Sequence, residues 1–318
     1  MEIIGDGYFT NETSAENKGK KMLVNANQPT NVYVSNGEFD CAILDKYSLT
    51  TISGSDLKID LSTLNYLPSI EGMYLPFGQK TTGDLGFLKS NLNLKDISFF
   101  NSHVSGDIGG INTLTNLGSL NLQGTQVSGD ISGINTLTKL ETLKLQSSQV
   151  SGDIVNLRPL TSLKIIQTWG TTVTGDIANF KYLTSLNEIA VTNMTGNIGE
   201  LSSLSNLETM ALLLCNLTGD ISKLPNSFRY LFIEQSNGSN LTWVSRNSSA
   251  KIIALHLTVN LDNIDKMLQD QAECQIGYKD SDGINYKSIT VKGNRTSASD
   301  AAVATLQQKG YTVSITPA

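Results

Sequence analysis

Gly106-Asp107-Ile108-Gly109-Gly110-Ile111-Asn112-Thr113-Leu114-Thr115-Asn116-Leu117-Gly118-Ser119-Leu120-Asn121-Leu122-Gln123-Gly124-Thr125-Gln126-Val127-Ser128 is followed at once by Gly129-Asp130-Ile131, which begins the same phrase again. The triplet recurs as Gly83-Asp84-Leu85, Gly152-Asp153-Ile154, Gly175-Asp176-Ile177, Gly196-Asn197-Ile198 and Gly219-Asp220-Ile221. From Gly83 to Gly219 the successive glycines are 23, 23, 23, 23, 21 and 23 residues apart. A fixed period of this size is the mark of a solenoid, in which one supersecondary unit is stacked on the next.

Two spacings of apolar residues alternate inside each unit. One is L-x-x-L-x-L, as in Leu117, Leu120, Leu122 and again in Leu140, Leu143, Leu145. Its closing alternation predicts a short strand with one face buried. The other, around Ile111 and Leu114 or Ile134 and Leu137, is too short and polar for a full helix and predicts a turn or a 3₁₀ segment. About five or six inward side chains, at roughly 1.5–3 kcal/mol each when buried, do not offset roughly 1–2 kcal/mol of backbone entropy for every residue ordered. One unit therefore cannot stand alone, and stability must be shared between neighbours.

These residues resemble the leucine-rich repeat family. The matching pattern is L-x-x-L-x-L-x-x-(Thr/Ser/Cys)-x-(Val/Leu)-(Ser/Thr)-Gly-Asp-Ile, over about residues 57–260, with Ser102, Thr125, Ser148, Thr171 and Cys215 in the column where the family usually has Asn or Cys. The Ser-Gly-x-Ile ending is similar to the plant-type variant without its proline. The resemblance implies a β-rich α/β solenoid, a right-handed superhelix with a parallel sheet on its concave side. Two departures stand out: Thr168 replaces a final leucine, and the unit from Gly175 is two residues short around Asn193-Met194.

The ends read differently. Residues 1–58 are expected to form an N-terminal cap, with a β-hairpin at Asn36-Gly37 and a degenerate repeat beginning near Leu49. Residues 59–260 hold the repeats, in which Gly238 to Asn247 reads as a polar loop. Residues 261–318 are expected to form a C-terminal α/β cap: a helix over Asp262 to Gln271, strands at 273–279 and 285–292, a helix over Ala298–Lys309 capped by Ser297 or Ser299, and a last strand at Tyr311 to Ile315.

Composition excludes several classes. The net charge of −6 and the lack of a Lys/Arg cluster argue against nucleic acid as a partner. No run approaches the roughly 18 apolar residues of a membrane span, and the first residues lack the basic and apolar regions of a signal peptide. The three cysteines, Cys41, Cys215 and Cys274, are no disulfide framework, and Cys215 reads as a buried structural thiol. His103 and His256 lie several repeats apart, and no catalytic set, metal-ligand spacing or cofactor motif is present, so no enzyme, metal or cofactor is expected. Asp280-Ser281-Asp282-Gly283 reads as a turn rather than a calcium loop. Seven Asn-x-Ser/Thr sequons, Asn216-Leu217-Thr218 among them, are what chance supplies in a chain this rich in these residues.

The aspartate column is expected to accept backbone N–H bonds in its own turns, and the glycine column to supply a tight turn. Binding is expected on the concave face, at Tyr74, Phe100, Asn121, Gln123, Lys144, Gln146, Gln167, Trp169 and Phe232, where large rings stand at positions pointing away from the core. The partner expected there is a protein or a glycan. Low charge, abundant Asn, Thr and Ser and regular repeats also resemble leucine-rich repeat surface proteins of gut bacteria, which implies an extracellular or surface-exposed adhesin engaged in host interaction. A phage fibre or decoration protein in the virion, or a cytoplasmic interaction scaffold, fits the same features.

Overall fold

The computed structural model describes residues 30–33, 37–38, 49–53, 57–66, 69–75, 81–234, 238–246, 254–274 and 287–317. The chain divides into two compact units, one of residues 1–163 with 168–173 and one of residues 164–167 with 174–318.

The first unit holds β1 (Thr30–Tyr33), β2 (Gly37–Glu38), β3 (Leu49–Ser53), β4 (Leu57–Asp60), β5 (Gly72–Tyr74), β6 (Thr81–Asp84), β7 (Asp96–Ser98), β8 (His103–Ser105), β9 (Ser119–Asn121), β10 (Ser128–Asp130), β11 (Thr142–Lys144) and β12 (Gln149–Asp153). Every second strand pairs with the next, all in parallel. One ladder runs β1–β3–β5–β7–β9–β11. A flanking ladder joins β2–β4–β6–β8 and β10–β12. In the second unit β13 (Ile165–Gln167), β15 (Glu188–Thr192), β17 (Thr209–Leu213), β19 (Tyr230–Glu234), β21 (Ala254–Asp262), β22 (Ser288–Lys292) and β23 (Thr312–Thr316) make the main ladder. Its flank is β14 (Thr172–Asp176), β16 (Met194–Asn197), β18 (Asn216–Asp220), β20 (Asn240–Thr242) and the far end of β21.

The leucine columns are the core. Leu117, Leu120, Leu122, Leu140, Leu143 and Leu145 are all 0% exposed. Short 3₁₀ turns follow the flanking strands, such as Ile108–Ile111 and Ile131–Ile134, and bury an isoleucine at each end. The aspartate before each turn caps it. Oδ1 of Asp107 accepts from Gly109 N at 2.7 Å and Oδ1 of Asp130 from Ser132 N at 2.8 Å, and Asn197 keeps the bond to Gly199 N. The Ser132 N–H, and then its hydroxyl, hold the Asp130 carboxyl below the usual carboxylate range.

The same aspartates account for the glycine column. A Cβ at Gly106 would meet the Asp84 carboxylate at 2.4 Å, one at Gly129 the Asp107 carboxylate at 2.6 Å, and one at Gly152 the Asp130 carboxylate at 2.7 Å. These glycines also have φ of +97°, +98° and +110°, values that L side chains rarely adopt. These three aspartates thus lie over the glycine one repeat on.

The ends depart from expectation. Of the residues expected to form the hairpin, 34–36 and 39–44 lie outside the described ones; the described strands beside them pair in parallel, β1 with β3 and β2 with β4. The stretch read as a polar loop contains β20, with Leu241 at 0% and Trp243 at 1% exposure. Helix α1 spans Ile264–Glu273 and α2 spans Asp300–Gln308. Thr296, not Ser297 or Ser299, supplies the side-chain cap, through Ala298 N at the start of a 3₁₀ turn leading into α2. Residue 273 ends α1 and Cys274 caps it, so no strand starts at 273. The rest of that expected strand and the Asp280-to-Gly283 turn lie outside the described residues.

Candidate recognition face

The main ladder of the second unit turns alternate side chains to solvent. Across it, Ala190 pairs with Ala211, Ala211 with Phe232, and Phe232 with His256. Two alanines make a low floor, with Ala190 only 8% exposed. Beside them Phe232 rises to 39% exposure and stacks on His256, centroids 6.1 Å apart and planes at 29°. His256 Nε2 lies 3.1 Å from Glu234 Oε1. Leu213, in register with Glu234, closes the patch.

The backbone beyond these strands carries the sharpest signal. Asn101, Gly124, Ser147, Gly170 and Asn193 recur 23 residues apart, and every one has positive φ, from 54° to 76°. Glycine and asparagine accept this left-handed turn, and most side chains strain in it. After the short repeat the position falls on Leu214, with φ 53°. Its N–H is held by Glu234 O at 3.1 Å, and its side chain is 54% exposed. A leucine is both the wrong residue for the turn and an apolar group left in water. Sequence reading missed it, because the two-residue deletion hides the column.

On the first unit's face Tyr74 is 40% exposed and Trp169 40%, while Phe100 is half-buried. Tyr74, Ser98, Asn121 and Lys144 share one row. Partial burial, and then the neighbouring Asp96 carboxylate, push the Tyr74 hydroxyl above its usual pKa. The next column is tied rung by rung through Asn101 N to Gln123 O, Gly124 N to Gln146 O and Ser147 N to Trp169 O. Asn121, Gln123 and Lys144 are half-buried, as is Gln167 on the second unit, where its amide donates to Glu188. Gln146, expected at the surface, is 3% exposed, and Thr192 in the second unit is 5% exposed. Gln146 sits in its column between Gln123 and Trp169, both large enough to cover it.

Two other expectations are settled by geometry. Cys215 is 1% exposed, its Sγ donates to Leu213 O at 3.2 Å, and burial pushes its thiol up to about 11. Thr168, standing where a leucine is usual, is 0% exposed. Its carbonyl accepts from the Thr171 hydroxyl, while its own hydroxyl finds no partner among the described residues.

No family profile and no curated protein matches the sequence. Solved structures do match the fold. A plant peptide hormone receptor, RGFR1, in complex with RGF2, is 15% identical with a TM-score of 0.57 over 90% of this chain, which spans 51% of that chain's length. An internalin, inlF, from Listeria monocytogenes is 19% identical with a TM-score of 0.55, over 91% of this chain and 82% of that one. A plant ice-binding protein is 20% identical with a TM-score of 0.53, over 72% of each chain. This chain has the leucine-rich repeat fold. Identities this low concern architecture, and a shared fold leaves the ligand to the side chains of the site.

Proposed function

We propose that this chain is a non-enzymatic recognition module that binds a protein partner on the solvent face of its main ladders. The carrying observation is Leu214. A strained, exposed leucine stands where the other repeats have Gly, Asn or Ser, beside a half-exposed phenylalanine on a floor of alanines. Backbone strain that stability does not require is retained where a side chain serves function. Leu213, Leu214 and Phe232 supply the apolar centre, and Glu234 with His256 the polar rim, the layout of an interface with an apolar core and a polar edge. Tyr74, Phe100 and Trp169 offer a comparable set of rings on the first unit.

The adhesin reading follows from the same face. Among the described residues no helix is long and apolar enough to cross a membrane. Neighbours that include a hormone receptor and an internalin support a role in recognition outside the cell.

Leu214→Gly separates function from stability. The substitution should raise stability by about 1 kcal/mol by releasing the left-handed strain, and together with Phe232→Ala it should abolish binding in a host-protein array. Unchanged binding by the double variant would overturn this face as the site. Mass spectrometry of cytosol, protease-shaved surface, medium and phage particles tests the location, and recovery from cytosol alone would overturn the adhesin reading.

A further inference from the structure

Arg246 lies apart from that face. It follows β20 and is 8% exposed. Nη1 donates to Ser222 O at 3.2 Å and to Leu224 O at 2.8 Å, and Nη2 to Pro225 O at 2.7 Å. A guanidinium carries five N–H donors. Three are used here, and Nε finds no acceptor among the described residues. The backbone N–H of Arg246 goes to Asp270, yet among the described residues no carboxylate forms an ion pair with its guanidinium. The Asp220 carboxylate, in the turn before this site, is taken up by Ser222 N, Ser222 Oγ and Val244 N. Among the described residues the guanidinium is thus held by backbone carbonyls with no carboxylate paired to it, and burial draws its pKa down to about 10.

Arg246 is among the residues that line a cleft of about 440 Å³. Its wall includes Ser202, Ser205, Asn226 and Ser245, with the exposed Lys223 as a second cation and no carboxylate among the residues that line it. The volume falls within the small-ligand range of about 300–1,000 Å³. Oxyanions are what a guanidinium recognises best, through its planar fork. The serine hydroxyls and the Asn226 amide suit a ligand that also carries hydroxyls.

We propose that this cleft binds a small hydroxylated oxyanion of the uronate or sugar-sulfate class. Its charged group faces Arg246 and Lys223, and its hydroxyls face the serines and Asn226. An inorganic oxyanion shares the first half of this chemistry and not the second.

Amide shifts of the isotope-labelled full chain test the site, in titrations with glucuronate, sodium sulfate and glucose at constant ionic strength. Glucuronate should bind saturably and shift amides of residues 222–227 and 245–246, and glucose should shift none. Sulfate should shift the same amides more weakly. Lys223→Ala should weaken glucuronate about tenfold, in the range of one charge-assisted hydrogen bond. Arg246→Lys should weaken it further, with the near-ultraviolet signal of the buried Trp243 reporting the fold. Equal affinity for sulfate and glucuronate would overturn the role of the hydroxyls. An equal response to glucose, shifts scattered over the surface, or full affinity in Lys223→Ala would overturn the site.

Discussion

A methyl group at Gly129 would press on the Asp107 carboxylate from 2.6 Å, on a backbone with φ +98°. Gly129→Ala should therefore destabilise the chain by about 2–4 kcal/mol. Removing the obstacle with Asp107→Ala should restore part of that loss, because the strain in φ remains. A double-mutant cycle in urea reads the coupling, and strictly additive losses would show that the two groups do not touch. Cys215 carries a pH signature. Its thiol is raised from 9.0 to about 11, so the unfolded chain ionises it first as pH rises. The stability that depends on the neutral thiol is intact below pH 9 and declines between 9 and 11. Cys215→Thr, the residue Thr125 and Thr171 place in that column, should flatten this part of the stability curve relative to the parent. Equal slopes would rule the thiol out as the cause. The aspartate's bond to its own turn was legible in the sequence, since it spans two residues. Its contact with the next repeat's glycine was not, because it depends on how strands register in space.

At the scale of elements, α1 is fastened by one carboxylate. Asp270, 3% exposed, accepts from Trp243 Nε1 at 2.8 Å, Arg246 N at 2.9 Å and Lys266 Nζ at 2.5 Å. Asp270→Ala leaves a buried indole N–H and a buried amide without acceptors and should destabilise by about 3 kcal/mol or more. Urea unfolding followed by Trp243 fluorescence measures it, and a loss below 1 kcal/mol would mean that these donors find other acceptors. Strands and 3₁₀ turns inside the repeats were readable because their apolar spacing is local and recurs in register. At the margins the same reasoning failed. The Asn- and Ser-rich surroundings of Leu241 and Trp243 masked a short strand with two buried anchors. The candidate face was legible in its exposure alone: Phe232, Trp169 and Tyr74 stand exposed as their spacing implied, while Leu214 became visible only with its backbone angle.

For the molecule as a whole, neighbouring repeats supply each other's stability, so length should be adjustable in whole units. A second copy of residues 129–151 placed directly after Ser151 sets Asp130 over the new Gly129 and the new Asp130 over Gly152. The lengthened chain should fold and show a larger urea m value, since m follows the surface exposed on unfolding. Aggregation, or an unchanged m value, would mean that the first unit does not admit a further turn. Solved neighbours described as a hormone receptor, an internalin and an ice-binding protein share this architecture, so the backbone alone does not select a ligand. On the reading proposed above, that choice falls to exposed groups such as Leu214 and Phe232, which lie outside the repeat's own requirements.

The aspartate seated over the following glycine also bears on how such a gene changes length. Inside the first unit, a copy such as that of Gly106 and Asp107 carries one half of the contact for the copy before it and the other half for the copy after. An in-frame exchange between two such copies, wherever it falls within the period, still joins an acidic side chain to a glycine that has room for it. Misaligned recombination, ruinous to most coding sequences, leaves this array with matched joints, and the number of turns becomes a quantity that selection can tune one unit at a time.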